Sequence, residues 1–351
     1  MIQALPSFAR AIGIDYSGAE TANSSLKGLR VYLAESGSTP REVDPPTSPK
    51  KYWTRRGIAE WLVERLAEDI PTVVGIDHAF SFPLRYFEVH GLLPDWPSFL
   101  DDFQRHWPTD ADHTYVDFVR FGTAGNGTAR LGSARWRRLT EERSPGAKSV
   151  FQFDVQGSVA KSTHAGIPWL RHIRLALGDR VQFWPFDGWD IAAGKSVILE
   201  VYPKLWSTEF PTEGRTPDQH DAYSVAAWLS MAGRDGRLLD AMKTRLMPSE
   251  AAVAQVEGWI LGVPWEMKRK PKAIPTVNRD RHNAGKTTRP GYVNKNQQEV
   301  INRTDQPGND HNQLVYVLNC GACGHRYGAN GSDIWQRRCP ACGGGAPGLG
   351  F

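Results

Sequence analysis

No cysteine occurs before residue 320, and the four present all fall within the last 32 residues. A disulfide framework for the body is thereby excluded, and four thiols in two close pairs read as metal arithmetic. No stretch approaches the roughly 18 apolar residues of a membrane span, so no transmembrane helix is expected. Met1-Ile2-Gln3-Ala4-Leu5-Pro6 lacks a basic n-region and an apolar h-region, which speaks against a signal peptide and leads to the expectation of a cytoplasmic protein. Neither sign of charge is in large excess. A formal net charge of +4 permits a polyanionic partner without demanding one. What is present is a large apolar fraction, 40%, enough for a sizeable core over 351 residues.

Residues 10–15 and 29–35 read as strands joined by a polar loop. A third strand near 40–45 is hemmed in by Pro40, Pro45 and Pro46. Ile58, Trp61, Leu62 and Leu66 give 57–69 a helical period, and Pro71 ends that helix before a buried strand, 72–77. The order implies an α/β fold, a mixed sheet with helices packed on it. Residues 80–190 read as a large insertion shaping a cleft. It holds short helices around 97–106, a Gly/Thr-rich loop at 122–132, the cluster Arg135-Trp136-Arg137-Arg138, a strand at 150–156 and, after the turn Gly157-Ser158-Val159, a helix through Leu170. A strand follows at 197–202. Next come a helix 218–232 with Asp218 as N-cap and a helix 249–261 with Ser249 as N-cap. The division expected is a body, 1–265, a mobile basic linker, 266–312, and a small tail, 313–351. Within the linker, 268–295 hold nine Lys/Arg and one acid.

Four acids stand at the ends of these elements. Asp15 closes Ala11-Ile12-Gly13-Ile14, Asp77 closes Val73-Val74-Gly75-Ile76, Glu200 closes Val197-Ile198-Leu199, and Asp221 opens the apolar helix that follows Pro217. Carboxylates crowded on one side of a sheet repel, and a bound divalent cation removes that cost. Asp15, Asp77, Asp218 and Asp221 are therefore candidate Mg²⁺ or Mn²⁺ ligands. Asp218 competes with its reading as a cap, and it shares a helical face with Asp221 three residues on. His220 reads either as a ligand or proton shuttle, or as a solvent-facing residue at a helix start. His78 points to the opposite face from Asp77. Lys161 and the Arg135–Arg138 cluster are candidate phosphate holders, whereas Ser158 with Lys161 is weak ground for a nucleophile pair. Two apparent phosphate loops fail. Gly188 to Lys195-Ser196 has one residue too many between its glycines and runs into a strand, and Gly285-Lys286-Thr287 has Asp280 where the first glycine belongs.

Cys320-Gly321-Ala322-Cys323 and Cys339-Pro340-Ala341-Cys342 are CxxC pairs 15 residues apart, the donor set of a structural four-thiolate Zn²⁺ site. Gly324 and Gly343 follow the pairs, as knuckle turns require, and the strand 314–318 leads into the first. Arg326, Tyr327, Trp335, Arg337 and Arg338 supply cations and rings suited to nucleic acid, with docking of a protein partner as the other use of such a ribbon.

In this order, Gly13-Ile14-Asp15-Tyr16-Ser17-Gly18, Gly75-Ile76-Asp77-His78-Ala79-Phe80-Ser81-Phe82-Pro83, Leu199-Glu200-Val201-Tyr202-Pro203 and His220-Asp221-Ala222 resemble the ribonuclease H-like superfamily. Within it they are closest to the predicted-nuclease family of domain of unknown function 429, over roughly residues 8–235. The resemblance implies a five-stranded mixed sheet of order 3-2-1-4-5 and metal-dependent phosphodiester cleavage of DNA or RNA. Asp15 would bridge two metals, Asp77 hold one and Asp221 the other, with Glu200 matched but without a clear role. The tail resembles the zinc ribbons found at the ends of bacterial proteins. Two rival expectations are an actin-like ATP-dependent phosphotransferase, on the turn Asp15-Tyr16-Ser17-Gly18, and a non-catalytic nucleic-acid-binding protein.

Overall fold

The computed structural model describes residues 7–18, 20–35, 37–46, 49–144, 146–265, 287–310 and 313–351. It divides into two compact units, Met1–Lys268 and Arg269–Phe351. The residues 266–286 of the expected linker lie outside the described residues.

The first unit is built on a six-stranded mixed sheet. Its strands are β1 (Arg10–Tyr16), β2 (Leu29–Glu35), β3 (Arg41–Glu42), β4 (Thr72–Asp77), β5 (Val181–Trp184) and β6 (Ser196–Glu200), in the order β3-β2-β1-β4-β6-β5. β2 runs antiparallel to β1 and β3, while β1, β4, β6 and β5 are parallel. The expected order of five strands is thus found with a sixth strand added at its edge. That strand, Val181-Gln182-Phe183-Trp184, lies inside the stretch read as an insertion, closed off by Gly178 and Pro185. An apolar run of four residues has no period to distinguish it from loop or helix.

Nine helices accompany the sheet among the described residues: α1 (Arg55–Leu66), α2 (Leu84–His90), α3 (Trp96–His106), α4 (Val116–Arg120), α5 (Leu139–Arg143), α6 (Ala160–Leu177), α7 (Pro217–Asp235), α8 (Arg237–Met242) and α9 (Pro248–Glu257). The expected strand at 150–156 is not formed; these residues make turns. Phe151 and Phe153 alternate because both rings plug into the core around His164, with centroids 6.1 and 4.6 Å away.

Strand alternation sorts the core into two layers. Ile12, Ile14, Val74, Ile76 and Ile198 face the side covered by α1 and α6. Ala11, Val73, Val197 and Leu199 face the side of α7. On that second side Gly13 and Gly75 leave room for the helix: a Cβ on Gly13 would stand 2.2 Å from the Ala222 carbonyl oxygen, and one on Gly75 2.7 Å from Val225 Cγ1. Each glycine is two residues before an aspartate, so the close approach that they permit brings the start of α7 up to Asp15 and Asp77.

Helix α7 begins one residue earlier than expected and is capped differently. Pro217 occupies the first turn, Thr216 is the N-cap accepting from the Gln219 amide, and the Gln219 side chain closes a capping box. Asp218 is therefore not the cap. In α9, likewise, Pro248 takes the first helical position and Met247 the cap, so Ser249 lies inside the helix.

The second unit is a three-stranded antiparallel sheet, β7 (Gln298–Pro307), β8 (Leu314–Cys320) and β9 (Arg326–Asn330). β7 lies within the stretch expected to be linker. Its core is small: Val300, Leu318, Tyr327, Ala329 and Ile334.

Candidate metal centres

The cysteines form the tightest donor set. Cys320 Sγ lies 3.7 Å from Cys342 Sγ and Cys323 Sγ 3.6 Å from Cys339 Sγ. All four sulfurs lie within 4.8 Å of one another, and no other group of three or more His, Cys, Asp or Glu among the described residues converges so closely. A disulfide would need about 2.05 Å. Tetrahedral Zn²⁺ with bonds of about 2.3 Å places its sulfurs roughly 3.8 Å apart, so the spacing fits zinc. Each knuckle is closed by amides: Gly324 N–H donates to the Cys320 carbonyl at 2.8 Å, and Gly343 and Gly345 to the Cys339 carbonyl at 2.9 and 3.1 Å. Gly324 and Gly344 take left-handed conformations, with φ of 72° and 61°. The second knuckle thus spends its left-handed turn one residue later than the sequence indicated. Gln298 donates to Cys320 Sγ at 3.5 Å, and this bond, with amides of the knuckle, lowers the thiol to about 6.

The carboxylates are arranged differently. Asp15 and Asp77 are register partners on β1 and β4 and so point the same way, toward α7. Asp15 is buried, and its Oδ1 accepts from Ser17 N–H at 2.8 Å. Desolvation dominates its titration, raising the carboxyl to about 7, with Asp218 and Asp221 pushing in the same direction and the Ser17 bond opposing. Asp77 is raised well above the usual range by desolvation and then by Asp15, Asp221 and Glu200. Asp221 is raised by desolvation and Asp218, against His220 and Lys204. Among the described residues neither Asp77 nor Asp221 has a side-chain hydrogen bond or an ion pair. Three desolvated carboxyls thus act on one another electrostatically, with Lys204 opposing at Asp77 and Asp221 and His220 at Asp221.

Glu200 does not belong to this group. It pairs in register with Ile76, which turns it to the α1/α6 face, opposite Asp77. There Arg138 grips it with two bonds of 2.7 and 2.6 Å, and Phe80 N–H donates to it at 3.3 Å. Arg138 is fully buried and also holds Glu141 at 2.8 Å. Burial pulls the Arg138 pKa down, but its carboxylate partners outweigh burial and leave it raised. Beside them Glu257 accepts from the Leu84 and Leu139 amides, both at 2.6 Å. The expectation that all four acids share a side of the sheet fails for Glu200 because the register puts it one residue out of phase. Both its oxygens are occupied in an ion pair.

The expected phosphate holders are also engaged elsewhere. Lys161 Nζ pairs with Asp117 Oδ2 at 2.5 Å. Of the basic cluster, Arg138 is buried with its glutamates, and Arg137 donates to the Ala147 carbonyl at 2.8 Å; Arg135 alone of the three has no side-chain partner among the described residues. The cation that does sit by the acids is Lys204, exposed on the turn Pro203–Leu205 after β6, which lowers the pKa of both Asp77 and Asp221. Lys204 was not picked out from the sequence, although it follows directly on the matched piece Glu200-Val201-Tyr202-Pro203. Asp218 lies at the margin, raised by desolvation and opposed by Arg30 and Lys27.

His78 is a packed core histidine, as expected. Its ring lies 4.6 Å from Tyr16 and 5.2 Å from Phe80, and burial lowers it to about 3. His220 faces inward rather than solvent: Nε2 bonds the Ser207 carbonyl at 2.9 Å, and Nδ1 is buried without a partner. Arg55, fully buried under Tyr16, donates to the carbonyls of Gly18 and Glu20 and so fixes the turn that follows Asp15.

A narrow cleft of about 40 Å³ is lined by Asp77, Arg138, Lys148, Glu200 and Tyr202. A larger hollow, about 530 Å³, lies away from the acids between α3, α6 and β5, where Arg171 pairs with Asp101 at 2.7 Å and Arg174 with Asp187 at 2.9 Å. Size and chemistry therefore do not coincide. No helix among the described residues is long and apolar enough to cross a membrane. Comparison of the chain with protein-family models, with curated proteins and with solved structures finds no match.

Proposed function

We propose that the body is a metal-dependent nuclease of the ribonuclease H-like kind, hydrolysing phosphodiester bonds of DNA or RNA at Asp15, Asp77 and Asp221. The observation that carries the reading is the trio itself: desolvated carboxyls with raised pKa values, two of them with no partner, at the ends of parallel strands and the start of a helix. Such a set is costly when ionised and is relieved by a divalent cation. Mg²⁺ or Mn²⁺ held there would supply an activated water and stabilisation of the leaving oxygen. The chain's own part is to hold the carboxylates in register, to fix Asp15 through Ser17 and Arg55, and to place Lys204 where a phosphate would approach. Asp218 stands as an outer ligand at most. Glu200 drops out as a ligand and acts as the anchor of Arg138.

Charge supports a division of labour. Residues 269–351 carry twelve Lys/Arg against five acids, although the whole chain carries 42 against 38. The body is therefore net acidic, and attraction for a polyanion resides in the zinc-bearing unit.

The test is incubation of the zinc-loaded full chain with labelled single-stranded, duplex and branched DNA and RNA, with Mg²⁺, Mn²⁺ or neither, beside Asp15→Asn and Asp77→Asn. Metal-dependent cutting lost in both variants is expected. Binding without cutting would assign the chain to the non-catalytic class, and ATP hydrolysis without nucleic acid would assign it to the phosphotransferases.

A further inference from the structure

Trp335 is half exposed on a turn, Ile334–Gln336, that the second unit goes to some length to hold still. Ile334 is buried in the small core. The buried Asn294 amide donates to the carbonyls of Ile334 and Arg337 at 2.7 and 2.9 Å, and Asn296 donates to those of Gln336 and Arg337 at 3.1 Å. Asn294 Oδ1 in turn accepts from the amides of Asn296 and Gln298, at 2.8 and 3.0 Å, which ties this clamp to the strand beside Cys320. Lys295, between the two asparagines, is exposed and sets its ammonium 5.5 Å from the indole centroid. Arg338 is exposed next to the turn. Of the other tail residues, Tyr327 is buried with its hydroxyl on Gln298 and Arg337 donates to the Pro347 carbonyl, whereas Arg326 is exposed on β9.

We propose that Trp335, Lys295 and Arg338 form a binding site for single-stranded nucleic acid, one base stacking on the indole and the adjoining phosphates meeting the two cations. A held ring with an ammonium 5.5 Å from its centroid, and an exposed arginine three residues on, offers a single strand what it alternates, base then phosphate, and every base has a π-face to offer. A protein anchor fits less well, because aromatic hot spots lie in desolvated apolar surroundings, whereas Lys295, Gln336 and Arg338 here are exposed and polar. A duplex hides its base faces. The excess of cations over acids in this unit supplies the charge complementarity. The inference rests on the nuclease reading only for making nucleic acid the substrate class; its test is binding, not cleavage.

The experiment is fluorescence anisotropy of a labelled oligo(dT) and of a duplex of equal length with the zinc-loaded full chain. No Mg²⁺ or Mn²⁺ is added, so that cutting plays no part, and zinc content is measured for every variant. Trp335→Ala is expected to weaken binding of the single strand roughly 5- to 100-fold, with Trp335→Phe retaining most of it. Lys295→Ala is expected to lower the slope of log K against log salt by about 0.7, a slope that Trp335→Ala leaves alone. Wild-type affinity in zinc-replete Trp335→Ala would overturn the proposal, as would a preference for duplex that ignores Trp335. If Trp335→Ala weakens binding but no variant or wild type ever cuts, this site stands and the nuclease reading falls. If the wild type cuts and Trp335→Ala binds normally, the reverse holds.

Discussion

The four cysteines and the three aspartates are both candidate metal centres, yet the fold prepares them in opposite ways. The sulfurs lie on two knuckles whose own amides close each turn, and they are already at zinc spacing. The carboxylates come from two strands and a helix, belong to the frame of the body's sheet, and do not converge to the same degree. A structural site can be drawn tight because its ion is never exchanged. A catalytic site is left partly open, with the charge of its ligands unbalanced until ion and substrate arrive. The price falls on the body's stability, through raised carboxyl pKa values, whereas a unit with so small a core among its described residues would lean on a metal bound at the cysteines.

The sharpest break of this contrast is at the ribbon. Cys339→Ser should abolish stoichiometric zinc and expose the residues from 287 onward to protease, since structural zinc contributes on the order of 10 kcal/mol to folding such a unit. Zinc content and limited proteolysis read it out, and the body should stay resistant. Next is Arg138→Met, which strands Glu200 and Glu141 without their cation. It should cost the body about 3–5 kcal/mol in urea denaturation and leave affinity for divalent cations at the aspartates unchanged. An equal loss of Mn²⁺ binding would return Glu200 to the ligand set.

A smaller effect is expected from pH. The Asp15 carboxyl rises from 3.8 to about 7 on folding, so between those values the native state holds a proton that the unfolded chain has released. Stability of the body without Mg²⁺ or Mn²⁺ should therefore fall as pH rises from about 4 to about 7, and Asp77 and Asp221 act with the same sign. Asp15→Asn should consequently match wild type in Tm near pH 4 and exceed it at pH 8. A difference that does not grow across this window would contradict the desolvation account. The smallest effect separates cap from ligand: Thr216→Ala should cost about 1 kcal/mol in urea denaturation, and Asp218→Ala within about 0.5 kcal/mol.

Much of this architecture could be read in the chain because local rules agreed with the global fold. The runs 10–15, 29–35 and 72–77 each appear as strands, and the CxxC spacing alone brought the thiols together. Errors arose where a decision belonged to the tertiary structure. The face of Glu200 depends on its register with Ile76, one residue out of step with Asp15 and Asp77. Phe151 and Phe153 imitate a strand because the core needs two rings. Lys161 finds Asp117, 44 residues away in sequence. The caps are a different kind of miss. Thr216-Pro217 and Met247-Pro248 both show a proline in the first turn, which puts the cap on the residue before it, and that was legible.

The most direct test of the central claim is calorimetric titration of Mn²⁺ into the zinc-loaded full chain at pH 8, beside Asp15→Asn and Asp77→Asn. Saturable binding to the wild type is expected, at least tenfold weaker in each variant, with the ribbon's zinc undisturbed throughout. Equal Mn²⁺ binding in all three proteins, or none in the wild type, would contradict it and leave the aspartates as buried acids without an ion.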